Sequence, residues 1–241
     1  NIEIATVRDV SWLGIAPVKR STRPFDQSRE LRALVSRHLA RAFPTECGVL
    51  AGAAVVCGDM AGEQHKFQDY DGIRFASVDG FDISPVSLAR FRTDRFDFRP
   101  HVADCNTIEL PACAYHLIVG LHGIHHIENV AHLLDQCRRA LKPGGLMLIE
   151  EYIGPARLQV PAPNLTIARL LLRALFRPVE RTNHEGRVKG DWIQYPPEAF
   201  DPSEAVNAPA IPAEFAHRFE SIYRLEYGGL CYPVFEGLGR N

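Results

Sequence analysis

Tyr115-His116-Leu117-Ile118-Val119-Gly120-Leu121 is followed by a histidine-bearing turn and a helical stretch from Asn129 to Leu141. Lys142-Pro143-Gly144-Gly145 then stops the helix ahead of Leu146-Met147-Leu148-Ile149-Glu150-Glu151. A short, continuous apolar run bounded by turn residues reads as a strand covered on both faces. Pro143 cannot continue a helix and the two glycines favour a turn, so the second apolar run is another strand. Strand, helix and strand in this order make a parallel βαβ unit.

The same alternation extends upstream. Ala53 to Cys57 reads as a buried strand, Glu63 to Phe67 as a helix and Arg74 to Phe81 as a second strand. Ser84 to Phe91 reads as a helix with Ser84 as N-cap and Pro85 at its first position. His101 to Ala103 is a short third strand. The whole predicts an α/β, doubly wound, mostly parallel sheet with helices on both faces.

The flanks differ in character. From Ser28, Leu31, Leu34, Val35 and Leu39 recur at helical spacing, with Arg29, Arg32, Arg37 and Arg41 on a solvated face, until Pro44 ends the helix. Past Pro155, Asn164 to Phe176 reads as a helix bearing Arg169, Arg173 and Arg177. A polar loop at 178–200 follows, containing Trp192 and Tyr195. Asp201-Pro202-Ser203-Glu204 has the form of a capping box and predicts a short helix. A helix over Pro212 to Phe219 and a strand over Ser221 to Tyr227 complete the pattern. The implied organisation is an N-terminal extension and helix (1–46), an α/β core (47–155), an inserted lid or substrate region (156–205) and a C-terminal helix and strand (206–241).

The 241 residues carry 27 Lys+Arg against 29 Asp+Glu, a formal charge of −2, with 46% hydrophobic and 23% charged residues. This balance argues against a dedicated electrostatic nucleic-acid binder or a polybasic membrane binder. No apolar run approaches the length of a membrane span, and the N-terminus lacks the pattern of a signal peptide. The six cysteines form no C-x-x-C pair, which reads as reduced thiols in a cytoplasmic protein.

In an open parallel sheet the ligand lies beyond the carboxyl ends of the strands, near the point where strand order reverses. The first turn there is Val55-Val56-Cys57-Gly58-Asp59-Met60-Ala61-Gly62-Glu63, where glycine allows close backbone approach. The second strand ends at Asp82-Ile83-Ser84, and a carboxylate in that place can accept hydrogen bonds from a ribose. Ala103-Asp104-Cys105-Asn106 ends the third strand, where a side chain can accept from an adenine amine. Finally, His122-Gly123-Ile124-His125-His126-Ile127-Glu128 offers acid–base chemistry. Adjacent histidines on a turn are expected to diverge and no second cluster at ligand spacing follows, so no metal site is assigned.

Taken in order, these pieces resemble the class I S-adenosylmethionine-dependent methyltransferases. The resemblance rests on Gly80-Phe81-Asp82-Ile83-Ser84, Ala103-Asp104 with Leu110-Pro111, Tyr115 to Val119, His125-His126-Ile127 and Leu141 to Leu146, and covers about Cys47 to Pro155. It implies a Rossmann-like fold with S-adenosylmethionine across the strand ends: the methionine part near Gly58, Asp59, Met60 and Gly62, the ribose on Asp82, and the adenine between Ile83 and Asp104-Cys105. The His122 to His126 turn would face the methyl group, with His122 among the cofactor-binding residues and His125 or His126 serving as base. Glu150 to Pro155, Asp201 to Ala205 and Glu226 to Gly229 resemble a bacterial subgroup associated with sugars, implying a small-molecule hydroxyl acceptor such as a sugar or nucleotide sugar.

The first turn departs from the family pattern of three alternating glycines after a strand acid. If Gly58 is the first glycine, Met60 replaces the second and Val56 holds the acid's place. If Cys57-Gly58 is the usual Cys-Gly pair, Val56 and Met60 replace the outer glycines and Ala54 stands for the acid. Either way, a degenerate, non-catalytic binding or scaffolding protein is the alternative reading. A nicotinamide dehydrogenase lacks its G-x-G-x-x-G, and neither a basic appendage nor an Asn/Asp-Pro-Pro-aromatic motif supports a nucleic-acid substrate. The family's sheet ends with an antiparallel strand beside the fifth. Leu230 to Asn241 supplies no convincing strand, so the chain is expected to be part of a longer product.

Overall fold

A computed structural model describes residues 2–6, 27–68, 70–181 and 201–225. In chain order these form β1 (Ile2–Thr6), α1 (Gln27–Ala42), β2 (Leu50–Val55), β3 (Phe75–Asp82), α2 (Pro85–Leu88), β4 (Asp97–Val102) and β5 (Tyr115–Leu121). Then come α3 (Val130–Ala140), β6 (Leu141–Glu150), α4 (Ala162–Leu175), α5 (Ile211–Arg218) and β7 (Glu220–Leu225). The seven strands make one sheet in the order β4-β3-β2-β5-β6-β1-β7. Every paired neighbour is parallel.

Why the central strands are mostly apolar follows from their two covered faces. Alternate residues fall into two core clusters. Leu50, Ala54, Leu117, Val119, Leu146 and Leu148 pack with Leu31, Val35 and Leu39 of α1. Ala53, Val55, Ile118, Met147 and Ile149 pack with Leu133, Leu134 and Cys137 of α3 and with Ile211 and Phe215 of α5. The strand period of two thus fills both layers from one run of side chains.

Local signals set the boundaries. Ser84 Oγ accepts from the Ser87 amide at the start of α2, and Asn129 accepts from the His132 amide at the start of α3. β6 starts directly at Leu141. Its register with β5 jumps from Tyr115↔Leu141 to Leu117↔Leu146, so Lys142-Pro143-Gly144-Gly145 forms a bulge, with Gly144 at φ 84°.

Three expectations are corrected. Glu63 to Phe67 is a single 3-10 turn, Glu63–Lys66, entered from Gly62 without a side-chain cap. The 201–205 segment is a set of turns and not a helix. Ala205 sits at φ 49°, and the Glu204 carboxylate reaches two histidines instead of closing a capping box. The third strand runs Asp97–Val102, longer than His101 to Ala103.

Beside β6, where the resemblance places an antiparallel strand, the slot holds β1, running parallel between β6 and β7. Trp192, Tyr195 and the turn at Gly228-Gly229 lie outside the described residues. α4 buries only Ala168 and Leu172, against Leu165 and Phe176, and exposes Leu170 and Leu175.

Candidate active site

Strand order reverses between β2 and β5, so the turns leaving β2, β3, β5 and β6 gather at one edge of the sheet. In the turn after β2, Val56, Gly58 and Met60 all adopt left-handed backbone, at φ 53°, 51° and 61°. Left-handed backbone thus alternates at positions 56, 58 and 60, the spacing of the register in which Val56 and Met60 stand at the outer glycine positions. For the β-branched Val56 this conformation costs on the order of 1–3 kcal/mol. Surrounding bonds hold it: the Cys57 amide donates to Phe81 O at 3.3 Å and the Met60 amide to Cys57 O at 2.8 Å. The Met60 side chain is fully buried in the core with Cys57 and Leu121, away from solvent. Gly58 has open space where a Cβ would stand.

Asp82 ties this turn to the next. Its Oδ2 accepts from the Gly58 amide and its Oδ1 from the Ser84 amide, both at 2.8 Å. Beside it Ile83 is 70% exposed, an apolar side chain held out at the cleft. Asp104 Oδ1 accepts from the amide and side chain of Asn106, whose own Oδ1 accepts from the amides of Glu128 and Asn129. Cys105 is buried, and desolvation pushes its thiol up to about 11. Asp59 is exposed and accepts from the Ala61 amide.

Glu63, next to Gly62, is buried. Desolvation raises its carboxyl from an ordinary 4.5 to about 7, against the pull of backbone amides at Glu63, Leu121 and Gly62. The unfolded chain releases this proton near 4.5 and the folded chain keeps it to about 7, so stability falls as pH rises across that window. Glu63→Gln should abolish this fall and stabilise the protein at pH 8 by on the order of 3 kcal/mol. Urea midpoints for both proteins at pH 5 and pH 8 check it; an equal pH dependence in the two would refute the assignment.

Beyond β5 and β6 the site is built on carboxylates that the sequence reading did not assign. Glu151 is 1% exposed. Its Oε1 accepts from the amides of Gly123 and Ile124 at 2.5 and 2.6 Å, and its Oε2 accepts from the Tyr152 amide at 3.1 Å. That second oxygen also lies 2.6 Å from His125 Nδ1. Desolvation disfavours the charged imidazole of His125, but the hydrogen bond and charge of Glu151, with Glu204, outweigh it and raise the ring's pKa above its ordinary value.

The expected divergence of the two histidines is not found. Their ring centroids are 4.4 Å apart, and both Nε2 atoms approach Glu204, at 3.4 Å for His125 and 3.6 Å for His126. His122, at φ 52°, lies apart from them, with its Nε2 3.7 Å from Glu150, which Lys66 also approaches at 3.5 Å.

Residues 53–149, which contain the turn, Asp82 and the histidine segment, match the family described as Methyltransferase domain. By that match, residues 53–149 are a methyltransferase domain. It is 29% identical over 146 residues to demethylmenaquinone methyltransferase of Tropheryma whipplei, strains Twist and TW08/27, across 59% of this chain. That alignment spans 60% of the relative's length. A solved S-adenosylmethionine-dependent methyltransferase from Mesorhizobium loti is 27% identical, covering 49% of this chain and 56% of that one, with a TM-score of 0.37.

Within the methyltransferase domain, the structure brings Gly58, Asp59, Met60, Gly62, Asp82 and Ile83 to one end of the sheet. It places His125 and His126 together with Glu204 from outside the matched residues. Glu150 and Glu151 were legible as acids ending an apolar strand, where α/β sheets place ligands. Among the described residues no helix is long and apolar enough to cross a membrane.

Proposed function

We propose that this domain transfers the methyl group of S-adenosylmethionine to a small-molecule acceptor, a sugar or related metabolite hydroxyl. The supporting observation is the left-handed alternation at Val56, Gly58 and Met60, pinned to Asp82 by the Gly58 amide. Strain kept at a turn in a ligand-binding position points to a functional demand on the backbone. For that reason the enzymatic reading is preferred to a non-catalytic scaffold.

The donor set fits the cofactor. An ionised carboxylate offers about four acceptor sites, and the Asp82 oxygens use one each on backbone amides, leaving capacity for ribose hydroxyls. Ile83 would cover one face of the adenine, and Asp104 with Cys105 would flank its edge. Asp59 and Gly62 would line the methionine part with the turn backbone, and His122 would face the cleft from β5. When bound, the cofactor supplies an electrophilic methyl group with a neutral thioether as leaving group, so the chain's work is chiefly positioning. An acceptor hydroxyl would lose its proton at the cluster of His125, His126 and Glu204, with Glu151 fixing the first imidazole.

Calorimetric titration with S-adenosylmethionine should show saturable binding, weakened about 10–100-fold by Asp82→Ala, the range expected for losing hydrogen bonds to a charged group. Absence of binding in the parent protein, or equal affinity in the variant, would overturn the reading. Methyl transfer to a panel of hydroxylated acceptors tests the second half separately.

A further inference from the structure

The hydrogen bonds around the two histidines fix their tautomers. Ser203 Oγ donates to Asp201 Oδ1 at 2.5 Å, which uses its only proton. At 3.0 Å from His126 Nδ1 the same oxygen must accept, so Nδ1 carries a hydrogen. Glu151 accepts from three backbone amides, and its contact with His125 Nδ1 is likewise that of an acceptor. Each neutral ring then presents an Nε2 lone pair, and these two nitrogens lie 3.4 and 3.6 Å from the carboxylate of Glu204. Lone pair facing carboxylate is repulsive unless positive charge lies between them. Two extra protons would supply it, but at the cost of two imidazolium rings with centroids 4.4 Å apart. One divalent cation would satisfy all three groups.

We infer that His125, His126 and Glu204 bind a single divalent cation, zinc being the ion that suits two imidazoles and a carboxylate. Their donor atoms lie within 4.8 Å of one another. Zinc bonds of about 2.0–2.2 Å at tetrahedral angles put neighbouring ligand atoms roughly 3.3–3.6 Å apart. His125 Nε2 lies 3.4 Å from one oxygen of Glu204 and His126 Nε2 lies 3.6 Å from the other, so a small inward shift of these side chains would bring them to that spacing. Both histidines also have the outer support that metal-binding imidazoles carry, a carboxylate on one Nδ1 and a hydroxyl on the other. Three protein ligands leave a fourth position open. An acceptor oxygen there would meet a Lewis acid, which would ease loss of its proton at the same cluster. Only this last role rests on the methyltransferase reading; the ion site stands on its own geometry.

The test is titration of the chelator-treated full chain with Co²⁺, followed by its visible ligand-field absorption, and with Zn²⁺ by calorimetry. One equivalent should bind. Glu204→Gln and His126→Ala should each weaken it by about 100-fold or more, and Ser203→Ala by about tenfold. Ser203→Ala removes only an outer support, so unchanged thermal unfolding in that variant separates lost affinity from lost fold. Failure of either ion to saturate the protein, or equal affinity in Glu204→Gln and His126→Ala, overturns the site. Stoichiometric ion binding without binding of S-adenosylmethionine would uphold the site and refute the proposed function. Chelator-insensitive methyl transfer by a protein that binds no ion would do the reverse.

Discussion

Glu151→Ala is expected to destabilise the protein by about 3–5 kcal/mol, because it strips a buried carboxylate from the donors that surround it. The amides of Gly123, Ile124 and Tyr152 and the Nδ1 of His125 would lose their acceptor in a place that water does not reach. For a domain of this size each kcal/mol moves Tm by about 2–4 °C, so a loss of roughly 10 °C should be read by calorimetry. Glu151→Gln is the sharper probe of function. Its carbonyl can still serve Gly123 and Ile124, but its amide nitrogen would face the Tyr152 amide and the His125 ring as a donor. The fold should survive with a smaller loss while the His125 tautomer is disturbed, and methyl transfer should fall by about 100-fold or more. A Glu151→Ala protein with parental Tm would refute the role assigned to the carboxylate.

Gly123→Ala should be nearly as damaging through a different route. An added Cβ would stand 2.5 Å from Val56 O and 2.9 Å from Val56 Cβ. Backbone cannot yield as a side-chain tip does, so the β2 and β5 turns would be forced apart, costing about 1–3 kcal/mol. Val56 already sits in strained left-handed backbone, and its displacement would also disrupt Gly58 and the bond to Asp82. Affinity for S-adenosylmethionine should therefore fall by about tenfold or more, alongside the loss of Tm, when both are measured on the same preparation. Gly123 is at φ −132°, so a harmless Gly123→Ala would mean that the Val56 turn moves freely and that its geometry is not what holds the site.

Much of this architecture was legible because it rests on local chemistry. Tyr115 to Leu121 is covered throughout and polar only at His116; Ser84 and Asn129 carry the oxygen a helix start needs, and Pro143 cannot extend a helix. The positions of Asp82, Ile83 and Gly58 followed from where parallel sheets place their turns. Other features were hidden for physical reasons. No propensity predicts that Val56 and Met60 accept left-handed backbone, since the turn between them is anchored through Cys57 and Gly58 to Phe81 and Asp82, two dozen residues on. The capping box at Asp201 was read from local spacing, but Glu204 found partners some eighty residues upstream that compete for its carboxylate. The convergence of His125 and His126 likewise depends on Glu151 and Ser203, anchors that adjacency in sequence does not reveal.

The place of β1 bears on how the chain is made. Ile2 pairs with Leu146 on one side and Glu220 on the other, so β1 completes its ladder only when β7 has emerged. At about 5–20 residues per second the ribosome takes roughly 10–45 s to bridge that interval. Until then β1 can pair only with β6, and its other side presents an open edge, the state most prone to pairing with another chain. β7 reaches the sheet only through β1, so two segments more than 200 residues apart clasp each other, and this edge of the sheet cannot finish folding until both have left the ribosome. Such long-range closure slows folding, and yield should respond to chaperone supply and to translation speed more than the stability of the finished domain would suggest.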